Sequence, residues 1–227
     1  MTRPVALITG ATRGIGRATA EALSVDHHVL VGGRDAAAVA EVVAQLPSAS
    51  GFVADLTDPE AVAAACKNLD RLDVLVLSAG IESELVSMAE TPREEWQKVL
   101  EMNVTACADL TRLVLPRLRE SQGIVVAINS GAGFRANPEW GVYAASKFAL
   151  RAWTDALRIE EQGRVRVSSI HPGRVDTGMQ QRIREMEGAE YDGSAFLRPE
   201  SVAGAVRFVV DATDDALVTE LSIRPRG

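Results

Sequence analysis

The chain has 227 residues, 47% of them hydrophobic, and a formal net charge of −7. That length and apolar content suit one folded domain with a substantial core and argue against disorder. The negative charge argues against nucleic acid or an anionic membrane surface as the main partner.

The opening Met1-Thr2-Arg3-Pro4 runs straight into an apolar strand, without the hydrophobic stretch and cleavage site of a signal peptide. No apolar run reaches bilayer length, so a cytoplasmic protein is expected. Val5-Ala6-Leu7-Ile8 is an unbroken apolar run suited to a strand covered on both faces. Thr9-Gly10-Ala11-Thr12-Arg13-Gly14-Ile15-Gly16 follows and opens a helical pattern. A strand, a glycine turn and a helix start together make an anion site, where converging amides and the helix dipole favour a pyrophosphate. Dinucleotide binding is therefore expected, although the spacing is not GxGxxG.

Val29-Leu30-Val31 is a second strand, ending in Gly32-Gly33-Arg34-Asp35. Asp35 falls where an acidic residue would hold the adenosine ribose of NAD, but it also stands just ahead of the helical segment 36–46, as an N-cap. The strand end carries no other carboxylate, and Arg34 with Arg13 could pair a 2′-phosphate. NADP is preferred to NAD. Gly51 to Ala54 reads as a third strand, and Thr57 or Asp58 caps the helix that Pro59 opens. Asp55 is either a capping carboxylate or a contact for the adenine amino group. Asp73 to Leu77 is a fourth strand, ending in the small residues Ser78-Ala79-Gly80. Cys66 and Cys107 lack CxxC spacing and sit in apolar surroundings, so buried free thiols are expected. His27, His28 and His171 have no partner at zinc-like spacing, so no metal site is expected.

A helix opens at 92–100, and Asn103 interrupts a longer helical stretch that reaches Leu118, either to satisfy backbone groups or to kink it. Ile124 to Asn129 is a buried strand that brings Ser130 to its carboxyl end, where open α/β sheets bind ligands. Gly131-Ala132-Gly133-Phe134 reads as a flexible loop. Tyr143-Ala144-Ala145-Ser146-Lys147 begins a helix running to about Glu161, and residues four apart share a face. A phenol has a reference pKa of about 10; a nearby ammonium favours its anion and makes it fit to trade protons near neutrality. Phe134, Trp140 and Met179 suggest a partly apolar substrate pocket, although Trp140 is equally readable as core. Val165 to Ile170 is a sixth strand, followed by His171-Pro172-Gly173 and Thr177. Segment 178–197 has few apolar repeats and several charges, as a lid over a cleft would. A last helix covers 199–212 and a seventh strand 217–223. Strands alternate with helices throughout 1–227, which predicts a single doubly wound α/β domain of Rossmann type with a seven-stranded parallel sheet.

In ordered combination these motifs resemble the short-chain dehydrogenase/reductase family over nearly the whole chain. Thr9-Gly10-x-x-x-Gly14-x-Gly16 is similar to its cofactor loop, Asp55 to its adenine-contacting Asp, and Ser78-Ala79-Gly80 to its Asn-Ala-Gly motif. Asn103, Ser130, Tyr143 and Lys147 fall on its catalytic tetrad, and Pro172-Gly173 with Thr177 on the segment that holds the nicotinamide carboxamide. Gly33 stands where NAD-preferring members carry Asp, and Arg13 and Arg34 where NADP-preferring members carry basic residues. Ser78 in place of Asn is a departure that puts local bracing of the sheet in doubt.

The resemblance implies an NADP(H)-dependent oxidoreductase, of carbonyl reductase or alcohol dehydrogenase type, moving hydride between nicotinamide and a carbonyl or secondary alcohol. The cofactor is expected to meet Gly10, Thr12, Arg13, Gly14, Ile15, Gly16, Arg34, Asp55, Leu56, Ser78, Ala79, Gly80, Tyr143, Lys147, Pro172, Gly173, Val175 and Thr177. Tyr143 is expected to exchange the proton, with Ser130 orienting the substrate oxygen, Lys147 tuning the phenol and Asn103 holding a water that links Lys147 to solvent. Helices near 105–119 and 146–161 match those that pair in the family's homodimers and homotetramers. The rival reading is a non-catalytic NADP-binding redox sensor, against which the intact Ser130, Tyr143 and Lys147 argue. Epimerisation or dehydration with bound cofactor is a second rival, disfavoured by the brief segment after Thr177.

Overall fold

The computed structural model describes residues 3–226; Met1, Thr2 and Gly227 lie outside it. Seven strands form one parallel sheet: β1 (Val5–Ile8), β2 (His28–Gly33), β3 (Ala49–Val53), β4 (Val74–Leu77), β5 (Ile124–Ile128), β6 (Arg166–Pro172) and β7 (Glu220–Ile223), ordered β3-β2-β1-β4-β5-β6-β7. The order reverses between β1 and β4, and that switch point opens a crevice at the strands' carboxyl ends.

The central strands are apolar throughout because both faces are covered. Ala6 and Ile8 of β1 face one core, with Val76 of β4 and Val126 of β5. Leu7, Leu75, Leu77 and Val125 face the other, as the two-residue side-chain period of a strand requires. Helices α1 (Gly14–Leu23) and α8 (Pro199–Val210) pack together over the first core. Helices α3 (Pro59–Cys66), α5 (Ala106–Ser121) and α6 (Gly141–Glu160) cover the second, with Val62, Leu110, Val114, Leu150 and Leu157 turned inward. Cys66 and Cys107 are free and buried there, and burial pushes both thiols up, Cys107 to about 11.

Local sequence explains the helix starts. Asp35 accepts from the amides of Ala37 and Ala38 to cap α2 (Ala36–Gln45), and Asp58 from those of Glu60 and Ala61 to cap α3. Asn103 interrupts the helical stretch as expected, through a π-helical turn, Glu101–Thr105, between α4 (Arg93–Leu100) and α5, with helical dihedrals kept on either side. Two predicted details differ. Residues 131–134 are not a flexible loop: Gly131–Gly133 is a 3₁₀ turn capped by the Ser130 side chain. The last helix stops at Val210, and β7 begins at Glu220 rather than Leu217. Within segment 178–197, α7 (Gly178–Met186) is capped by Thr177, and Val175 bridges Leu197 to close the excursion. No helix among the described residues is long and apolar enough to cross a membrane.

Candidate active site

The glycine loop leaves β1 and enters α1 at the switch point. Gly10 and Gly14 have φ of +63° and +53°, a region that other residues enter only with strain. A Cβ at Gly16 would lie 2.3 Å from the Gly10 carbonyl oxygen, so the turn closes only on glycine. Arg13 occupies the N-cap position of α1 without capping it, and the first turn holds no acidic side chain. The leading amides are left free for an anion. Ser78 and Ala79 donate their amides to the Thr9 hydroxyl, each at 3.0 Å. Thr9 thereby braces the ends of β1 and β4 against each other, the task that Ser78 in place of Asn had left in doubt.

Beyond β2, a Cβ at Gly33 would sit 2.8 Å from Val39 Cγ2 and 2.9 Å from Thr12 Cγ2. No carboxylate can grow from that position without displacing its neighbours. Arg13 and Arg34 are exposed and make no side-chain hydrogen bond or ion pair with a described residue. They stand beside different carboxylates: Arg34 acts on Asp55, and Arg13 on Glu82. Asp55 accepts from the Thr57 amide at 2.9 Å and its hydroxyl at 2.7 Å. Those bonds, with the Arg34 charge, hold its carboxyl below the usual range, and both land on one oxygen. The side chains of Ile15 and Val175 pack into the first core and that of Leu56 against the second. Thr177 closes over the loop, its Cγ2 3.2 Å from where a Gly14 Cβ would be. Pro172 ends β6, and Gly173 is held to β7 by its amide bond to the Ile223 carbonyl at 2.8 Å.

On the other side of the switch point, Tyr143 and Lys147 share one face of α6, with Lys147 Nζ 5.7 Å from the phenol ring centroid. Both are buried, at 9% and 5% exposure. Lys147 Nζ also donates to the Ile128 carbonyl at 3.3 Å, at the end of β5 and two residues before Ser130. The Ser130 hydroxyl oxygen accepts from the Ala132 amide at 3.1 Å, which leaves its hydrogen available to another acceptor. Asn129, absent from the predicted site, orients this corner: its Oδ1 accepts from the Ser130 amide at 2.9 Å, and its Nδ2 donates to the Lys147 carbonyl at 3.2 Å. Gly133 is packed so closely against both that a Cβ there would meet Asn129 Oδ1 at 2.9 Å.

Asn103 joins the same cluster from the π turn. Its Oδ1 accepts from the Ile81 amide at 2.8 Å, and its two N–H bonds go to the Ile81 carbonyl and the Ser146 hydroxyl. A water on this residue has only the remaining Oδ1 lone pair or the main chain to bind. His171, also missed, is fully buried beneath Ser130, with Nδ1 3.1 Å from the Ser130 carbonyl. Burial pushes its imidazole below the ordinary value, so Nδ1 is the protonated donor. Trp140 packs edge-on against Tyr143, with ring centroids 5.9 Å apart, and so borders the reactive side chains. Phe134 does not join it: its ring lies 4.3 Å from His171 and carries the Arg151 guanidinium. Nothing local in the sequence separates these two aromatics.

A cavity of about 460 Å³ lies alongside, between residues 81–84, Lys98 and α7. The Glu82–Arg182 ion pair spans it. Burial pushes the Glu82 carboxyl up, but the guanidinium outweighs it and holds the group low.

The sequence matches the family model described as short chain dehydrogenase over residues 4–188. It is 34% identical to an uncharacterised short-chain type dehydrogenase/reductase of Sinorhizobium fredii, over 98% of this chain and 92% of that protein. It is also 34% identical to glycine betaine reductase of Emericella nidulans over 98% of this chain, which spans only 19% of that much longer protein. The fold superposes with a TM-score of 0.89 on the alcohol dehydrogenase of the archaeon Thermococcus sibiricus, solved in complex with 5-hydroxy-NADP. That structure is 28% identical, with 98% of this chain and 97% of the other covered.

Proposed function

The chain belongs to the short-chain dehydrogenase family, and from that premise we propose that it moves hydride between NADP(H) and a carbonyl or secondary alcohol substrate, with Tyr143 as general acid and base. It is an NAD(P)-dependent oxidoreductase by membership; the cofactor form, the substrate type and the residue roles are our reading. The observation that carries the reading is the buried Lys147 ammonium, which lies beside the Tyr143 ring and bonds the Ile128 carbonyl two residues before Ser130.

NADP(H) is favoured over NAD(H) because Gly33 leaves no room for a ribose-binding carboxylate, while the unpaired Arg34 stands beside the same strand end. The archaeal alcohol dehydrogenase with its NADP derivative agrees with this choice. The Gly10–Gly16 turn and the free α1 amides would hold the pyrophosphate, and Pro172 to Thr177 the nicotinamide end. NADPH, when bound, supplies hydride to the substrate carbon.

The rest is done by the chain's own groups. Tyr143 gives its hydroxyl proton to the carbonyl oxygen as that oxygen gains charge. Ser130 donates its free hydroxyl hydrogen to the same oxygen and fixes its direction. Lys147 stabilises negative charge left on the phenol oxygen. Asn103, tied to Ile81 and Ser146, is a positioning residue that keeps the loop after β4 registered against α6. Segment 178–197 serves as the lid of this single domain. Two or four copies associate through the outer faces of α5 and α6, where Phe148 is 42% exposed.

The test follows NADPH consumption over a panel of ketones, aldehydes and keto acids, with wild type and Tyr143→Phe. Turnover by wild type and its loss in Tyr143→Phe, with NADPH binding retained, is expected. A fully active variant would remove Tyr143 from this role, and a wild type that binds NADPH but reduces nothing would favour the redox-sensor reading.

A further inference from the structure

Trp140 neighbours both the reactive phenol and a charged group. Its ring centroid is 5.9 Å from that of Tyr143 and 5.9 Å from the Arg174 guanidinium carbon. Arg174 comes directly after Gly173, on the segment proposed to hold the nicotinamide end, and its contact with Trp140 keeps its head group in the neighbourhood of Tyr143. The main chain there is fixed too: the Arg174 carbonyl accepts from the Leu197 amide at 3.0 Å.

The guanidinium is held in one orientation but is not used up. Its two terminal nitrogens meet the Glu187 carboxylate, Nη1 to Oε2 at 2.9 Å. No described residue accepts from Nε, so the side edge of the fork, Nε–H with the outward Nη–H, is open. Glu187 is shared: Arg184 Nη1 donates to it at 2.8 Å, while Arg184 Nε goes to the Glu190 carbonyl. Two guanidiniums thus share one carboxylate. The nearby Asp176 accepts from the Tyr191 hydroxyl and makes no ion pair with either arginine. The free edge of a guanidinium has the spacing of a carboxylate, which it binds through two parallel bonds.

We infer that Arg174 reads a carboxylate on the substrate, so that the enzyme acts on oxo acids or hydroxy acids whose carbonyl or carbinol carbon is presented to Tyr143 while the acid group docks on the open edge of Arg174. The inference rests on the hydride-transfer reading of the site and adds the class of substrate. It refines the expectation of a partly apolar pocket: Trp140 supplies an apolar wall, and the Arg174 guanidinium lies against it. Arg174 is a specificity-determining residue here, acting on a part of the substrate remote from the reacting carbon.

The experiment compares short 2-oxo and 3-oxo acids with their methyl esters, under NADPH, for wild type, Arg174→Gln and Arg174→Lys. Wild type is expected to favour an acid over its ester by at least about tenfold in kcat/KM, a tenfold ratio being about 1.4 kcal/mol. Arg174→Gln should raise the KM of the acid about tenfold more than that of the ester, and Arg174→Lys, which keeps charge but loses the fork, should fall between. Equal use of acid and ester by wild type, or loss of both in equal measure in Arg174→Lys, overturns the inference and leaves the hydride-transfer reading standing. A wild type that reduces a ketone or aldehyde but no member of this panel overturns the inference alone, and one that binds NADPH and reduces no ketone, aldehyde or oxo acid overturns both.

Discussion

Lys147 lies beside Tyr143 with its ammonium 5.7 Å from the ring centroid, and the same ammonium is hydrogen-bonded to the Ile128 carbonyl. The charge is fixed from two sides in a pocket where only 5% of the residue is exposed. Lys147→Met keeps the length of the side chain and removes the charge. If the ammonium supports proton transfer, kcat should fall by about 10²–10⁴, the range found for general acid–base groups. The melting temperature should change little, because removing a buried charge relieves its desolvation while losing one bond. Near-normal kcat in a folded Lys147→Met would detach the ammonium from the chemistry.

Thr9 gives a prediction about stability. Its buried hydroxyl takes the amides of Ser78 and Ala79 together. Thr9→Val preserves shape and leaves both amides without that acceptor, which should lower the unfolding free energy by about 2 kcal/mol. Thr9→Ser should restore most of it. Urea unfolding of the three proteins decides the matter, and a Val variant as stable as wild type would deny Thr9 its bracing role.

Much of this architecture was legible because it is written locally. Apolar runs such as Val5–Ile8 and Ile124–Ile128, the glycines of the first turn, and the caps Asp35 and Asp58 each act within a few residues. Tyr143 and Lys147 were legible for the same reason, since a helix fixes their common face. What escaped were contacts between distant segments. Thr9 meets Ser78 across 69 positions, and His171 meets the Ser130 carbonyl across 41. In sequence the 3₁₀ turn after Ser130 looks loose because its glycines suggest freedom. In the structure Gly133 is required instead by the closeness of Asn129 and the Lys147 carbonyl. Phe134 and Trp140 looked alike on paper, and only tertiary packing sends one to His171 and the other to Tyr143.

Cofactor choice can be tested at Arg34, whose exposed guanidinium has no partner among the described residues, while a side chain at Gly33 beside it would have to displace Val39 and Thr12. Arg34→Ala should weaken NADPH binding by about 10- to 100-fold, as loss of a charge-assisted contact to a phosphate would. NADH binding should be almost unaffected. Raising the salt concentration should narrow the gap between wild type and variant for NADPH, because an exposed ion pair is screened. Fluorescence titration with both cofactors measures this, and equal weakening toward NADPH and NADH would place the 2′-phosphate elsewhere.

His171 makes the protein sensitive to acid in a definite window. It is fully buried, with Phe134 stacked on its ring, Nε2 3.6 Å from Glu220, and Nδ1 on the Ser130 carbonyl. Burial lowers its pKa from the ordinary 6.5; the Ser130 bond and the Glu220 charge oppose the shift, and the Arg151 and Arg224 charges add to it. The unfolded chain therefore takes up a proton at a higher pH than the folded one. The associated stability is fully present above about pH 6.5 and is lost as pH falls through that value toward the lower folded pKa. His171→Asn, which keeps a donor for the Ser130 carbonyl and does not titrate, should flatten this part of the profile. Melting temperatures of both proteins from pH 8 to about pH 5 should run parallel above about pH 6.5 and, below it, wild type should lose stability relative to His171→Asn as its unfolded chain takes up the proton. Parallel curves across that range would show that the imidazole takes up its proton in the folded protein as easily as in the unfolded chain.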